Sequence, residues 1–306
     1  MVAAAVAAPL VIGVDVGGTK IRAAVADRDG RIRRRHELES PAGPQEEVLA
    51  AIDSAVAALL EETVGAVGLG IPGNLEARTG RLLRTTNLPL QDVDLQAWAR
   101  ARFGLPAAIE NDANVAALAE WKLGAGRDVQ TLVMITLGTG VGGGLVLGGE
   151  LYRGWAEIGH VVVDVGGPSC QGNCHGHGHL EAIASGSAAD RAARELWGPE
   201  ADARLLVERA RAGDDRAQAR MAEIAAALGA AIGSFANLFN PELVVIGGGF
   251  GEAAGDLLLG PAQEAARCEA LYSADGSIRL ALAELGEDAG LVGASLIAFQ
   301  ALDGAW

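Results

Sequence analysis

Residues 10–27 read LVIGVDVGGTKIRAAVAD, and residues 131–149 read TLVMITLGTGVGGGLVLGG. Each is an apolar strand, a glycine-threonine turn and a second strand, the first closing at the Asp29-Gly30 turn. The return of one unit half a chain later predicts two lobes of related construction, each giving a glycine turn to a shared cleft. Between the units, residues 45–63 carry Val48, Leu49, Ile52, Val56, Leu59 and Leu60 at helical spacing, and VGAVGLGIPG follows as a strand ending in a Gly-Pro loop. LPAAIE is then a strand, and Asn111-Asp112 opens a helix through ANVAALAEWKLG. Further on, residues 185–239 are mostly helical, NPELVVIGGG is a strand meeting a glycine turn, and AGLVGASLIAFQAL makes a closing helix. This alternation is α/β.

The 306 residues are 50% hydrophobic, enough to bury a full core in two lobes. A formal net charge of -15 opposes nucleic acid and anionic membrane as partners, since both carry the same sign. No apolar run is expected to span a bilayer. Cys268, alone in a helix-like stretch, is expected to be a buried small hydrophobe.

Residues 157–181, EIGHVVVDVGGPSCQGNCHGHGHLE, hold four of the chain's five histidines and two of its three cysteines. Nitrogen and sulfur donors at this density, with Gly and Pro letting the backbone wrap, suit a tetrahedral zinc site. The ligand set is expected to be His160, Cys170, Cys174 and His179, with His175 and His177 as substitutes, and the role structural because four protein donors close the coordination sphere. A surface loop with incidental histidines, or a Cys170–Cys174 disulfide, is the alternative. The N-terminal MVAAAVAAPL has no basic start and runs straight into a strand, which points to a reducing cytoplasm and against the disulfide.

Gly17-Gly18-Thr19-Lys20, Gly138-Thr139-Gly140-Val141-Gly142-Gly143 and Gly247-Gly248-Gly249 let backbone amides approach phosphate oxygens without a Cβ in the way. The dinucleotide fingerprint needs its glycine turn to lead into a helix, whereas both Gly-Thr turns lead into strands, and the P-loop signature does not occur. A hairpin-borne phosphate site remains. Asp15, just before the first turn, is placed near a magnesium ion or is a structural strand residue.

The motifs DVGGTK, GIPGNLE, TNLP, ENDAN, GTGVGGGLVLGGELYRG, EIGH, the cysteine-rich loop running into LEA, NPELVVIGGG and GEDAGLVGA together resemble the ROK family of sugar kinases and sugar-responsive repressors. They recur in the family's order from residue 11 almost to the end, and the closest resemblance is to the family's glucokinases. The resemblance implies a two-lobed actin-like ATPase (ribonuclease H-like) fold with a cleft between the lobes and a zinc-binding loop. The smaller lobe would comprise residues 1–113 and 289–306, and the larger lobe 114–288 with the zinc loop.

The resemblance also implies ATP-dependent phosphorylation of glucose, with Asp112 as general base and Asn111, Asn87, Gly73, Glu157, His160 and Glu181 as sugar contacts. A plain helix N-cap is the other reading of Asp112. Gly17, Gly18, Thr19, Lys20, Gly138, Thr139, Gly140 and Gly142 would surround the triphosphate and Mg²⁺ with Asp15, and Gly247, Gly248 and Gly249 would lie near the adenosine. One ring nitrogen of His160 could bind zinc while the other bonds the sugar. In much of the family one residue separates the first two cysteines and a third precedes LEA; here three residues separate Cys170 from Cys174 and His179 takes that third position.

Kinases for mannose, fructose or an N-acetylated sugar, and a polyphosphate-dependent glucokinase, share the implied fold. A sugar-sensing regulator would need a DNA-binding module, yet the fourteen residues before Asp15 carry no basic side chain. The expectation is a cytoplasmic homodimer or homotetramer, with a hexose and no nucleic acid or membrane as partner.

Overall fold

The computed structural model describes residues 9–76, 79–85, 88–271 and 278–306. Along the chain run β1 (Leu10–Val16), β2 (Lys20–Ala26), β3 (Ile32–Glu39), α1 (Gln45–Ala57), β4 (Val64–Ile71), β5 (Asn74–Glu76), β6 (Arg81–Arg84), β7 (Gln91–Asp94), α2 (Leu95–Phe103), β8 (Ala107–Asn111) and α3 (Asp112–Leu123). They are followed by β9 (Leu132–Leu137), β10 (Val141–Leu147), β11 (Glu150–Leu151), α4 (Leu180–Ala184), α5 (Gly186–Trp197), α6 (Ala203–Arg211), α7 (Asp215–Phe239), β12 (Leu243–Gly247), α8 (Gly249–Glu269), β13 (Leu280–Leu282) and α9 (Ala289–Leu302).

Two five-stranded sheets share one plan, with orders β3-β2-β1-β4-β8 and β11-β10-β9-β12-β13. In the first, β1, β2 and β3 pair antiparallel while β4 and β8 add in parallel. In the second, β9, β10 and β11 pair antiparallel while β12 and β13 add in parallel. The strand-turn-strand repeat of the sequence is the antiparallel pair that starts each sheet. A three-stranded sheet, β5-β6-β7, stands beyond the expected Gly-Pro loop and was not foreseen.

The chain divides into two compact units: Met1–Ala119 with Arg153–Trp155 and Asp288–Trp306, and Glu120–Tyr152 with Ala156–Glu287. In the first unit α9 packs on β1 and β4, and glycines decide how closely. A Cβ on Gly68 would lie 1.9 Å from the Ala294 carbonyl oxygen, and one on Gly13 would lie 2.4 Å from Ser295 Oγ, so a side chain at either position would push the helix off the sheet. The helix expected over 45–63 ends at Ala57, after which Leu59 turns inward and Leu60 is exposed.

In the second unit α7, 25 residues long, is apolar enough by length and composition to cross a membrane, contrary to the sequence expectation that no run would qualify. Its apolar face is accounted for by packing: Met221, Ile224, Leu228, Ile232 and Phe235 are buried in the core with Leu258, Ala262 and Ala266 of α8. Cys268 is exposed, which corrects its assignment to the core. The buried stripe of α8 runs through Ala262 and Ala266, and the helical period carries position 268 off that face.

Glu120, near the end of α3, is fully buried and takes three backbone donors. Its Oε1 accepts from Leu285 N at 2.7 Å, and its Oε2 from Ala125 N at 2.9 Å and Glu284 N at 3.1 Å. A buried carboxylate is tolerated where its oxygens are saturated in this way.

Candidate active site and metal centre

The end of β8 and the start of α3 form a corner built on side chain to backbone bonds. Asn111 Oδ1 accepts from Ala113 N at 2.9 Å and Asn114 N at 3.2 Å, and its Nδ2 donates to the Gly73 carbonyl at 3.2 Å. Asn111 is thus the N-cap of α3, a role the sequence reading had offered to Asp112. Asp112 is the first helical residue, where the helix dipole favours a carboxylate, and its Oδ1 accepts from Ala113 N. Gly73 has φ +118° and leaves no room for a Cβ, which would lie 2.4 Å from the Arg84 carbonyl oxygen. Asn87 lies outside the described residues.

Behind this corner sits Glu110, 3% exposed. Its Oε1 accepts from Asn111 N and Asn114 Nδ2, and its Oε2 from Arg153 Nε at 2.8 Å. The Arg153 guanidinium in turn stacks on the Trp306 ring at 3.8 Å. The motif ENDAN contained this residue, but a strand acid next to a cap gave no sign of its arginine partner 43 positions on.

The first glycine turn is closed by Gly17 N donating to the Lys20 carbonyl and by Ser40 Oγ donating to the Gly17 carbonyl. Gly18 and Thr19 are exposed within it. Asp15, expected near magnesium, accepts from Arg22 Nη2, and Lys20, expected near phosphate, is paired with Glu37 at 2.6 Å. The Lys20–Glu37 pair is largely solvent-exposed and weak enough for an ionic ligand to displace, whereas the Asp15–Arg22 pair is partly buried.

In the second unit the metal-ligating side chains converge. Among the described residues one His/Cys/acid group could hold a metal, His160, Cys170, Cys174 and His179, with all donor atoms within 4.8 Å of one another. His160 comes from a single helical turn, Ile158–His160, and His179 stands just before α4. The two Nδ1 atoms are 3.3 Å apart, Cys170 Sγ is 3.7 Å from His160 Nδ1, and Cys174 Sγ is 3.5 Å from His179 Nδ1. A tetrahedron with Zn–N near 2.0–2.1 Å and Zn–S near 2.3 Å has edges of about 3.3 Å between nitrogens and about 3.6 Å between nitrogen and sulfur. The donor set therefore fits zinc.

The loop's backbone supports the cluster, since Cys170 N donates to the Gly176 carbonyl and Gly176 N donates to Cys174 Sγ. Burial, then hydrogen bonding with Cys174, pushes the Cys170 thiol up to about 11, and a bound cation stabilises the thiolate instead. His175 and His177 are exposed and outside the cluster, with His177 against Ser169 Oγ. With Nδ1 of His160 in the donor set, Nε2 is the nitrogen left for a second partner. Both cysteines are free thiols, so the Cys170–Cys174 disulfide does not form.

The second glycine turn lies against this loop. Glu181 Oε2 accepts from Val141 N at 2.8 Å, and its Oε1 is 3.9 Å from Cys170 Sγ. Gly186 N donates to the Gly138 carbonyl at 2.7 Å, and Gly138 N to the Gly140 carbonyl at 2.9 Å. Gly142, also expected to bind the cofactor, pairs with Thr136 in the β9–β10 ladder. Glu157 precedes the His160 turn, exposed, and among the described residues its carboxylate has no partner. Gly247 ends β12, Gly248 has φ +82°, and Gly249 begins α8, so this third turn leads from strand into helix N-terminus.

Two sheets of one topology, each opening on a strand, glycine turn and strand, define an actin-like ATPase fold. The chain belongs to the ROK family, whose pattern matches residues 11–301. The glucokinase of Thermotoga maritima is 36% identical over 96% of this chain and 98% of its own. The N-acetylmannosamine kinase of Escherichia coli O139:H28 is 37% identical over 94% of this chain and 97% of its own. Among solved structures, a ROK family glucokinase from Streptomyces griseus, in complex with glucose and AMPPNP, is 35% identical with a TM-score of 0.81, covering 95% of this chain and 99% of that one.

Proposed function

We infer that the protein is a glucokinase that transfers the γ-phosphoryl group of ATP to glucose, giving glucose 6-phosphate and ADP. The observation that carries this is the near full-length match in sequence and fold to a glucokinase solved with glucose and an ATP analogue. In the proposed reaction the carboxylate of Asp112 takes the proton of the sugar hydroxyl, whose oxygen bonds to the γ-phosphorus as the bridging P–O bond breaks and ADP leaves. Its place at the capped start of α3 supports that role, because the first turn of a helix holds a carboxylate rigidly. Phosphoryl transfer depends mostly on positioning and electrostatics, so few residues need to react.

Asn87, Asn111, Gly73, Glu157, His160 and Glu181 are proposed as sugar contacts, since carboxylates and amides can bridge vicinal hydroxyls. Gly17 to Lys20 and Gly138 to Gly142 are proposed to hold the phosphates with Asp15 and Mg²⁺, and Gly247 to Gly249 the adenosine. His160, Cys170, Cys174 and His179 would hold zinc, which supplies a structural cross-link to the loop. The boundaries 1–113 with 289–306, and 114–288, are proposed as the functional lobes. A homodimer or homotetramer in the cytoplasm is proposed, in keeping with the free cysteines; light scattering tests the assembly.

A second reading, a kinase for an N-acetylated hexose, is favoured by the N-acetylmannosamine kinase relatives. An assay of ADP release across glucose, mannose, fructose, N-acetylmannosamine and N-acetylglucosamine, with ATP or polyphosphate as donor, decides between them. Glucose with ATP should give the highest kcat/KM; an N-acetylated sugar ahead of glucose would overturn the glucokinase reading and keep the sugar-kinase class.

A further inference from the structure

Gln171 lies between two members of the zinc donor set, Cys170 and Cys174, in the turn where Cys174 N donates to the Gln171 carbonyl. Its side chain leaves the metal loop. Nε2 donates to the Thr139 carbonyl at 3.0 Å and approaches Ser185 Oγ at 3.4 Å. Ser185 is fully buried and caps α5, its Oγ accepting from Ala188 N. One amide thus ties the metal loop, the Gly138–Gly143 turn and the start of α5.

In a trans peptide the carbonyl and the following N–H point in opposite directions. Pinning the Thr139 carbonyl to Gln171 therefore sets the direction of the Gly140 N–H, as pinning the Gly138 carbonyl to Gly186 N sets that of the Thr139 N–H. These are two successive donors of the turn to which the phosphates are assigned. The Glu181–Val141 bond anchors the same turn one residue further on.

We propose that Gln171 is a positioning residue that couples metal occupancy of the Cys170–Cys174 loop to the affinity of the 138–143 turn for the phosphates of ATP. The proposal rests on the phosphate role given to that turn. Metal bound by the flanking cysteines fixes the backbone of Gln171, and Gln171 fixes the amides that meet the nucleotide. Metal and nucleotide then assist one another, and the assistance is equal in both directions.

The test uses the full chain with Gln171→Met, which keeps length and loses the donors, and Gln171→Glu, which faces Thr139 with an acceptor. Binding of a non-hydrolysable ATP analogue is measured by calorimetry on zinc-loaded protein, with KM for ATP and for glucose. Zinc affinity is measured by chelator competition with and without the analogue. Loss of one such bond should weaken the analogue about three- to tenfold and raise the ATP KM by a like factor, with the glucose KM changed less than about twofold. In the wild type the analogue should tighten zinc about three- to tenfold, and in the variants by less than about twofold.

Gly138→Ala separates this proposal from the reading beneath it. A Cβ there meets nothing within 4 Å, so the turn can accept it while a phosphate cannot. If Gly138→Ala weakens the analogue and both Gln171 variants bind it as the wild type does, the coupling is overturned and the phosphate turn stands. If none of the three weakens it, both fall. Equal losses for ATP and glucose in a Gln171 variant would also overturn the coupling, since they would mean general loosening of the fold.

Discussion

Replacing Asp112 by Asn separates chemistry from folding, because the cap of α3 belongs to its neighbour. Asn111 Oδ1 accepts from Ala113 N and Asn114 N at 2.9 and 3.2 Å, and the substitution leaves both bonds in place. What is lost is one carboxylate in the first helical turn, worth about 0.3–1 kcal/mol with the dipole. Asn also keeps an oxygen for the bond from Ala113 N. Stability should therefore fall by no more than about 1 kcal/mol. A positioned base contributes roughly 10²- to 10⁴-fold, or about 3–5.5 kcal/mol of barrier at 1.36 kcal/mol per factor of ten, so kcat should collapse by that factor. The control is Asn111→Ala, which deletes the one oxygen that accepts both cap bonds, together with the bond to Gly73, and should cost about 1–2 kcal/mol of stability. Urea unfolding gives the stabilities and a coupled ADP assay the rates. The reasoning is refuted if Asp112→Asn keeps more than about a tenth of wild-type kcat, or if it destabilises the protein more than Asn111→Ala does.

Metal analysis of protein purified without chelator should find about one zinc per chain, and Cys170→Ser should lower both retention and melting temperature; fully active protein with fewer than about a third of chains occupied would end the zinc assignment. Arg153→Met strips the charged partner from Glu110 and should cost about 2 kcal/mol in urea unfolding, below the ~3–5 kcal/mol of a fully buried pair because the arginine side chain is 34% exposed; an unchanged midpoint would show the pair to be idle. Glucose should be preferred over galactose and fructose by at least about a hundredfold in kcat/KM, since buried polar groups left unpaired by a misplaced hydroxyl are costly; a flat profile would contradict this. Burial, with the Glu120 and Glu287 carboxylates adding to it, raises the pKa of Glu252 above its ordinary 4.5. The native state thus favours the protonated acid, and its contribution is full below that value and lost as pH climbs through the raised pKa. Glu252→Gln should accordingly stabilise the protein near pH 7 and be neutral near pH 4, and urea unfolding at both pH values showing the reverse would reject the sign.

Some of this was legible in the order of residues alone. The strand-turn-strand repeat could be read because apolar runs and glycine turns are local signals, and both sheets duly open on that unit. The donor cluster could be read because Cys170, Cys174 and His179 lie within ten residues of one another, so the loop has little freedom to part them. Choosing among His175, His177 and His179 needed the backbone, which turns the first two to solvent.

Contacts that depend on how elements pack were decided only in three dimensions. A helical wheel cannot say that α7 finds its apolar partner in α8, since composition alone fits a membrane equally well. Cys268 is exposed because packing chose which face of α8 is buried, and the helical period then carries position 268 off that face. The cap of α3 went to Asn111 because side-chain geometry at a strand end, one residue's difference, lies below the resolution of propensity. Glu110 with Arg153, Glu120 with Leu285, and Gln171 with Thr139 join residues 43, 165 and 32 positions apart. A single polar side chain carries no periodicity, so its partner is chosen by the packing of the elements between.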